Sequence, residues 1–326
     1  MTLRVGLVGA GNMAATHAAG WLAAGDRVSH ILKSGSTRAA TLAGELDAEL
    51  CEDYDSLLED VDVVDICSPT DTHLSYIKAA AAAGVAIVCE KPLARTAAAA
   101  HEAVAVCESA GVPLLVAHVV RFFPEYAGAR DRVVAGDLGD VATIRLDRST
   151  YFPMREGSWF SDHERSGGVV LDLLIHDVDY ARWVAGDVAR VYARLAQPPG
   201  SGGHVLATLR HAGGALSHVQ GSWAFPEGSF RTSLEVAGSA GLLTLHASEP
   251  FVSLAQEAGE VADVPQPPST LAESPYATQM RHFSDVLQGS TEPIVTAADG
   301  AAAVEICEAV ARSIVTGHAI TLGGTA

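Results

Sequence analysis

The sequence predicts two α/β architectures in tandem: a doubly wound parallel sheet over residues 1–119, then an α+β domain over 120–326 built on a large, mostly antiparallel open sheet. Three observations lead there. Short β-branched runs alternate with Ala-rich stretches of helical length through residue 117, the pattern of parallel strands joined by crossover helices. A glycine-rich turn, GAGNMA, joins the first such run to the first Ala-rich stretch. From about residue 140 the runs alternate apolar and polar residues between turn signals, as strands do when one sheet face is solvated.

In the first part, strands are expected at 3–8, 27–32, 62–67, 86–89 and 114–117, and helices at 12–24, 37–46, 72–83 and 96–110, where Ala, Leu and Glu dominate. Gly84 and Gly111, each just past an Ala-rich stretch, read as helix stops. In the second part, strands are expected at 141–149, 204–211, 215–224 and 231–237, and helices at 169–185, 276–288 and 298–316. The segments QPPGSGG and PQPP read as peripheral loops.

Composition bounds the function. A chain of 326 residues suggests two domains, and 48% hydrophobic against 18% charged residues supplies a sizeable core. The net charge of −18, spread along the chain, argues against a nucleic-acid partner held by phosphate contacts. Cys51, Cys67, Cys89, Cys107 and Cys307 are widely spaced with no CxxC pair, which fits reduced thiols in the cytoplasm. No apolar run reaches membrane-spanning length, so no membrane contact is expected. The partner expected is a small molecule.

GAGNMA sits where a Rossmann dinucleotide fingerprint must, after a strand and at the start of a helix. Gly9 allows the tight turn, Gly11 lets backbone approach a pyrophosphate, and Ala14 fills the last small position, with Asn12 and Met13 between them on the free first turn. No acid stands between Arg27 and Ala40 to bind a ribose 2′-hydroxyl. That stretch instead offers Lys33, Ser34, Ser36, Thr37 and Arg38, which suit a 2′-phosphate. NADP is therefore the expected cofactor, with NAD left open.

AIVCEKPLA, residues 86–94, places Glu90 and Lys91 at the exit of a buried-looking strand, beside the crevice in which ligands of such sheets bind. In SGGVVLDLLIHDVD, Asp172 and His176 are four apart and would share a helix face amid apolar neighbours; an acid in that position can orient an imidazole that exchanges a proton. His118 and Arg121 follow the fifth strand and are candidate substrate contacts, Arg121 alternatively an interdomain ion pair. Tyr151, Trp159, Asp162 and His163 precede the Asp172 helix and are candidate walls of a sugar pocket. SDHER at 161–165 is the nearest approach to a metal cluster, and no metal is expected.

Taken together, GAGNMA, Ser68-Pro69 with His73, CEKPLA, RFFPEY, SGGVVLDLLIHDVD, EPIVTAADG and TGHAITL resemble the Gfo/Idh/MocA oxidoreductases nearly end to end. That resemblance implies hydride transfer between a nicotinamide cofactor and the CH–OH or C=O group of a sugar, polyol or related cyclic compound. It implies Lys91, Asp172 and His176 as the catalytic set, with Asp172 and His176 also at the substrate. It further implies Ser68, Pro69, His73, Glu90 and Lys91 near the cofactor, and a homodimer or homotetramer. Two other activities on the same fold are a glycosidase with transient redox chemistry and a non-catalytic nucleotide sensor; retention of all three catalytic positions counts against the sensor.

Overall fold

The computed structural model describes residues 1–33, 37–152, 159–198, 201–246, 251–256, 262–265 and 273–323. The chain forms two compact units, Met1–Phe122 with Glu273–Ala302, and Phe123–Ala272 with Ala303–Ala326.

The first unit opens with β1 (Arg4–Val8), α1 (Asn12–Ala24), β2 (Arg27–Leu32), α2 (Arg38–Leu46), β3 (Glu49–Cys51) and α3 (Tyr54–Glu59). It continues with β4 (Val63–Ile66), α4 (His73–Ala83), β5 (Ala86–Glu90), α5 (Ala97–Ala110) and β6 (Leu114–Ala117). The six strands are parallel in the order β3-β2-β1-β4-β5-β6. The order reverses between β1 and β4, and the carboxyl ends of those two strands border the crevice of a doubly wound sheet. Val5, Leu7, Ile31, Val64, Ile66, Ile87, Val88 and Val116 are 0% exposed, which is why these strands read as nearly unbroken apolar runs. Gly84 and Gly111 end α4 and α5 in the left-handed conformation, as expected. The segments β3 and α3 were not anticipated. A three-residue strand shows no periodicity, and the six-residue α3 owes its start to Asp53, which accepts the Ser56 N–H at 2.9 Å.

Downstream lie α6 (Pro124–Val134), β7 (Val141–Thr150), α7 (His163–Ser166), α8 (Ile175–Ala185), β8 (Val188–Ala196), β9 (His204–His211) and β10 (Leu216–Ser222). They are followed by β11 (Phe230–Gly238), β12 (Gly241–His246), β13 (Phe251–Gln256), β14 (Ala262–Pro265), α9 (Pro275–Leu287), α10 (Ala297–Thr316) and β15 (Ile320–Thr321). The second unit is built on a nine-stranded sheet, β14-β13-β12-β11-β7-β10-β9-β8-β15, antiparallel except where β10 runs parallel to β7. Ile144, Val191, Val205, Leu209, Val219, Val236 and Leu243 are 0% exposed on one face of this sheet, the face on which α8 packs. Tyr192, Leu206, Leu216 and Leu242, whose chain neighbours point inward, are 36–50% exposed on the other face.

The division at the carboxyl end differs from the expected 120–326 domain. Residues 273–302 belong to the first unit, because α9 lies against α1 and a Cβ on Gly20 would stand 2.7 Å from Met280 Cγ. Gly300 is packed in the same way against Val116. These contacts join residues more than 170 positions apart in the chain, which local patterning does not register.

Candidate functional site

The nucleotide half of the site begins where β1 ends. Gly9 has φ +105°, and a Cβ there would lie 2.6 Å from the Cys67 carbonyl oxygen, so the loops after β1 and β4 meet backbone to backbone. Gly11 caps α1 without a side-chain bond, and nothing lies within 4 Å of the position its Cβ would take. The first N–H bonded back along the helix is that of Ala15, to Gly11 O at 3.2 Å. The preceding N–H groups, of Asn12, Met13 and Ala14, carry the partial positive charge of a helix start, a fit for a dinucleotide pyrophosphate.

At the other end of this crevice Arg38 donates from Nη2 to Asn12 Oδ1 at 2.8 Å, linking the start of α2 to the glycine-rich turn. Lys33 is ion-paired with Glu52 at 2.6 Å, with both side chains at least half exposed. The acid that meets Lys33 thus comes from just after β3. Ser34 lies outside the described residues.

The loops after β4 and β5 are tied together by His73. Its ring, 1% exposed, stands 3.0 Å from Pro92 O through Nδ1 and 2.9 Å from Ser68 O through Nε2, and burial pushes its pKa down. Expected near the cofactor, His73 instead lies between two backbone carbonyls, and a neutral ring donates its one N–H to one of them, so it sits packed between the Ser68-Pro69 and Lys91-Pro92 segments. Thr72 donates to Pro69 O at 2.7 Å and braces the same turn.

Glu90 is buried, and its Oε2 accepts the Lys91 backbone N–H at 2.9 Å. Its Oε1 lies 3.1 Å from His17 Nε2, a contact bent away from a straight hydrogen bond. His17 Nδ1 meets both Asp65 oxygens at 3.0 and 3.1 Å, and Trp21 Nε1 donates to Asp65 Oδ2 at 2.8 Å. Burial opposes a charge on His17, but Asp65 and Cys67 outweigh it and raise the imidazole well above its ordinary value. Burial likewise pushes Glu90 up, yet His17 and Lys91 bring it below the usual carboxylate range. None of His17, Trp21 and Asp65 was singled out from sequence. The available signal was an acid inside the apolar strand VVDIC, which burial obliges to find a partner. His17, Asp65 and Cys67 are also the one group among the described residues with metal-ligand atoms within 4.8 Å of one another. The Asp65 oxygens already accept from Trp21 and face His17, so the group closes as a hydrogen-bonded cluster.

In the second unit the helix expected at 169–185 is not uniform. Val170–Leu174 forms a π turn and α8 begins only at Ile175. Such turns recur at functional sites, and the wider spacing removes the argument that Asp172 and His176 share a face through a regular α repeat. Both side chains are half-buried among Leu171, Leu173, Leu174, Ile175 and Val178, which are at most 7% exposed. The next residue, Asp177, is 0% exposed and bidentate with Arg148 of β7, at 2.9 Å on each arm. Burial pushes the Asp177 carboxyl up despite Arg148.

Four other candidates are placed as follows. Asp162 caps α7 by accepting the Glu164 N–H at 2.9 Å. His163 packs on Gly168, where a Cβ would stand 2.7 Å from its Nδ1. Trp159 stacks on Phe160 with ring centroids 4.2 Å apart, and Tyr151 is 40% exposed and bridges Ala224. Arg121 is a correction. Rather than facing a substrate or bridging domains, it is 2% exposed within the first unit and donates from Nη1 to Ile294 O and Asp299 Oδ2. His118 is 1% exposed beside it in the chain.

Residues 3–118 match the family model described as oxidoreductase family, NAD-binding Rossmann fold, and residues 126–244 match the GFO/IDH/MocA C-terminal domain. The chain belongs to the Gfo/Idh/MocA oxidoreductase family. Among relatives of this Gfo/Idh/MocA protein, a 1,5-anhydro-D-fructose reductase of Ensifer adhaerens is 28% identical over 97% of each chain. A D-apiose dehydrogenase of Paraburkholderia graminis is 32% identical, covering 81% of this chain and 74% of its own. A solved levoglucosan dehydrogenase in complex with NADH superposes with a TM-score of 0.91 at 21% identity over the whole of both chains, a likeness of fold. Among the described residues no helix is long and apolar enough to cross a membrane.

Proposed function

We propose that this Gfo/Idh/MocA protein is a cytoplasmic NADP-preferring dehydrogenase or reductase of a sugar, polyol or related cyclic compound. The observation that carries the reading is the open, uncapped start of α1 at Gly11, on the parallel sheet whose strand β5 ends at Glu90, within a chain whose relatives are named for sugar substrates. Gly9, Gly11, Asn12, Met13 and Ala14 would hold the dinucleotide, with Ser68 and Pro69 forming the facing loop. The bound nicotinamide supplies hydride acceptance or donation. Lys91 hydrogen-bonds the reacting oxygen and favours its developing negative charge. His176 takes the hydroxyl proton in oxidation or returns it in reduction, and Asp172 keeps the imidazole or the substrate in place. Tyr151, Trp159, Asp162 and His163 remain the substrate-side candidates.

Preference for NADP rests on Arg38. The guanidinium is already at the glycine-rich turn through Asn12, whereas the charge of Lys33 is countered by Glu52. Arg38→Ala is expected to weaken NADPH binding about tenfold and to leave NADH binding unchanged, the scale of one charge-assisted hydrogen bond. Fluorescence titration with both nucleotides, followed by 340 nm assays against 1,5-anhydro-D-fructose, apiose and a panel of inositols and aldoses, tests the whole reading. Turnover with one of them supports it. Tight NADH binding with NADPH excluded would reverse the cofactor assignment, and nucleotide binding with no turnover of any compound would count against the reductase.

The half-exposed Tyr192, Leu206, Leu216 and Leu242 face supports assembly of a homo-oligomer by burial of that sheet surface against a second copy. Light scattering on Leu206→Glu checks it: a monomer where the parent chain is dimeric supports this face, and an unchanged mass removes it.

A further inference from the structure

Asp65 and Glu90 are buried on neighbouring strands, β4 and β5, and two buried carboxylates so placed need a group that can donate to them. The residue that touches both is His17, 0% exposed on α1, with Nδ1 on Asp65 and Nε2 on Glu90. Glu90 in turn holds the backbone of Lys91. We propose that His17 is a positioning residue for Lys91: set between Asp65 and Glu90, it fixes the carboxylate that receives the Lys91 N–H. The proposal rests on the assignment of Lys91 to the reaction.

The charges facing this cluster can be enumerated. From β5 come Glu90, Lys91 and Cys89, from β4 and its loop Asp65 and Cys67, and from α4 His73. Burial pushes both thiols up and the His73 ring down, so these three are neutral near pH 7. Without a charge on His17, Glu90 loses the cation that brings its carboxyl down and keeps only the Lys91 backbone N–H, whereas Asp65 still accepts from the Trp21 indole at 2.8 Å and the Cys67 thiol at 3.4 Å, so the Glu90 carboxyl moves up. With Glu90 neutral, the Lys91 side chain is released from its neighbouring anion and reacts more readily with an acylating reagent.

The chain's lysines are Lys33, Lys78 and Lys91, and the first two lie in surface ion pairs with Glu52 and Glu102. They serve as internal references for acetylation of the full chain by an N-hydroxysuccinimide ester, read by mass spectrometry. In His17→Gln the Lys91 rate relative to Lys33 and Lys78 should rise about fivefold at pH 7, and the excess should shrink as pH rises and Glu90 ionises. Glu90→Gln should give the same rise without the shrinkage. An unchanged ratio in either folded variant, or an excess in His17→Gln that is flat with pH as simple loosening would give, overturns the proposal. Should His17→Gln fail to fold, Glu90→Gln and nitrogen NMR of the unmodified protein decide. Both His17 ring nitrogens protonated at pH 7 is the expected result, and a neutral tautomer at that pH refutes it. None of these readouts uses a substrate, so they are separate from turnover of Lys91→Ala, whose near-normal value would instead remove the assignment of Lys91.

Discussion

The two residues assigned to proton and charge handling are held by the same device in different materials. Lys91 follows a buried acid, Glu90, that meets a cation from another element, His17 of α1. His176 precedes a buried acid, Asp177, that meets a cation from another element, Arg148 of β7. In both places the working side chain stays half-buried while its chain neighbour is locked in the interior. The difference lies in the cation. A guanidinium never titrates and grips a carboxylate with two parallel N–H bonds, whereas an imidazolium serves two carboxylates at once and can lose its charge. One cation is therefore fixed and the other depends on pH.

The largest effect should come from breaking the fixed anchor. Arg148→Met leaves Asp177 buried without its cation and is expected to cost about 3–5 kcal/mol in urea unfolding, with Arg148→Lys recovering part of it. A loss below about 1 kcal/mol would place the pair among contacts that solvent already screens. Next in size are the working residues themselves. Lys91→Ala and His176→Ala should each lower kcat by about 10² or more with nucleotide affinity nearly unchanged, measured by steady-state rates beside fluorescence titration. Equal losses in kcat and in nucleotide affinity would turn the comparison into one of binding residues.

The smallest effect sharpens the contrast in pH dependence. His17 has a folded pKa above its unfolded value, so its stabilisation is fully present below about pH 6.5 and is lost as pH rises through the folded pKa. Glu90 has a folded pKa below its unfolded value, so its contribution is present above about pH 4.3 and is lost as pH falls through the folded pKa. Unfolding measured from pH 5 to 10 should show an alkaline decline that His17→Gln abolishes and Arg148→Met retains. An alkaline decline that survives His17→Gln would assign it to other groups.

Legibility followed the range of each interaction. The strands of the first sheet were visible because burial on both faces demands apolar runs, and the glycine-rich turn because backbone approach demands glycine at Gly9. Lys91, Asp172 and His176 stood out as polar residues at an exit or within an apolar stretch. Other features were out of reach. His17 is one imidazole in an Ala-rich helix, and its partners come 48 and 73 positions later, at Asp65 and Glu90. The π turn at Val170–Leu174 leaves no mark in a run of leucines. Arg121 looked like a ligand contact because a lone arginine after a strand gives no hint that Asp299, 178 positions on, will neutralise it.

The amino-acid sequence by itself determined the two sheet types, the dinucleotide turn and the residues able to carry acid–base chemistry, since each follows from patterns a few residues long. Tertiary structure alone decided that residues 273–302 complete the first unit, and that Arg121 is spent on an internal ion pair. It also decided that Glu90 and Asp177 are gripped by His17 and Arg148. The reason is physical: a buried charge must be matched by whichever group the fold delivers to it, and that delivery depends on packing between segments distant in the chain.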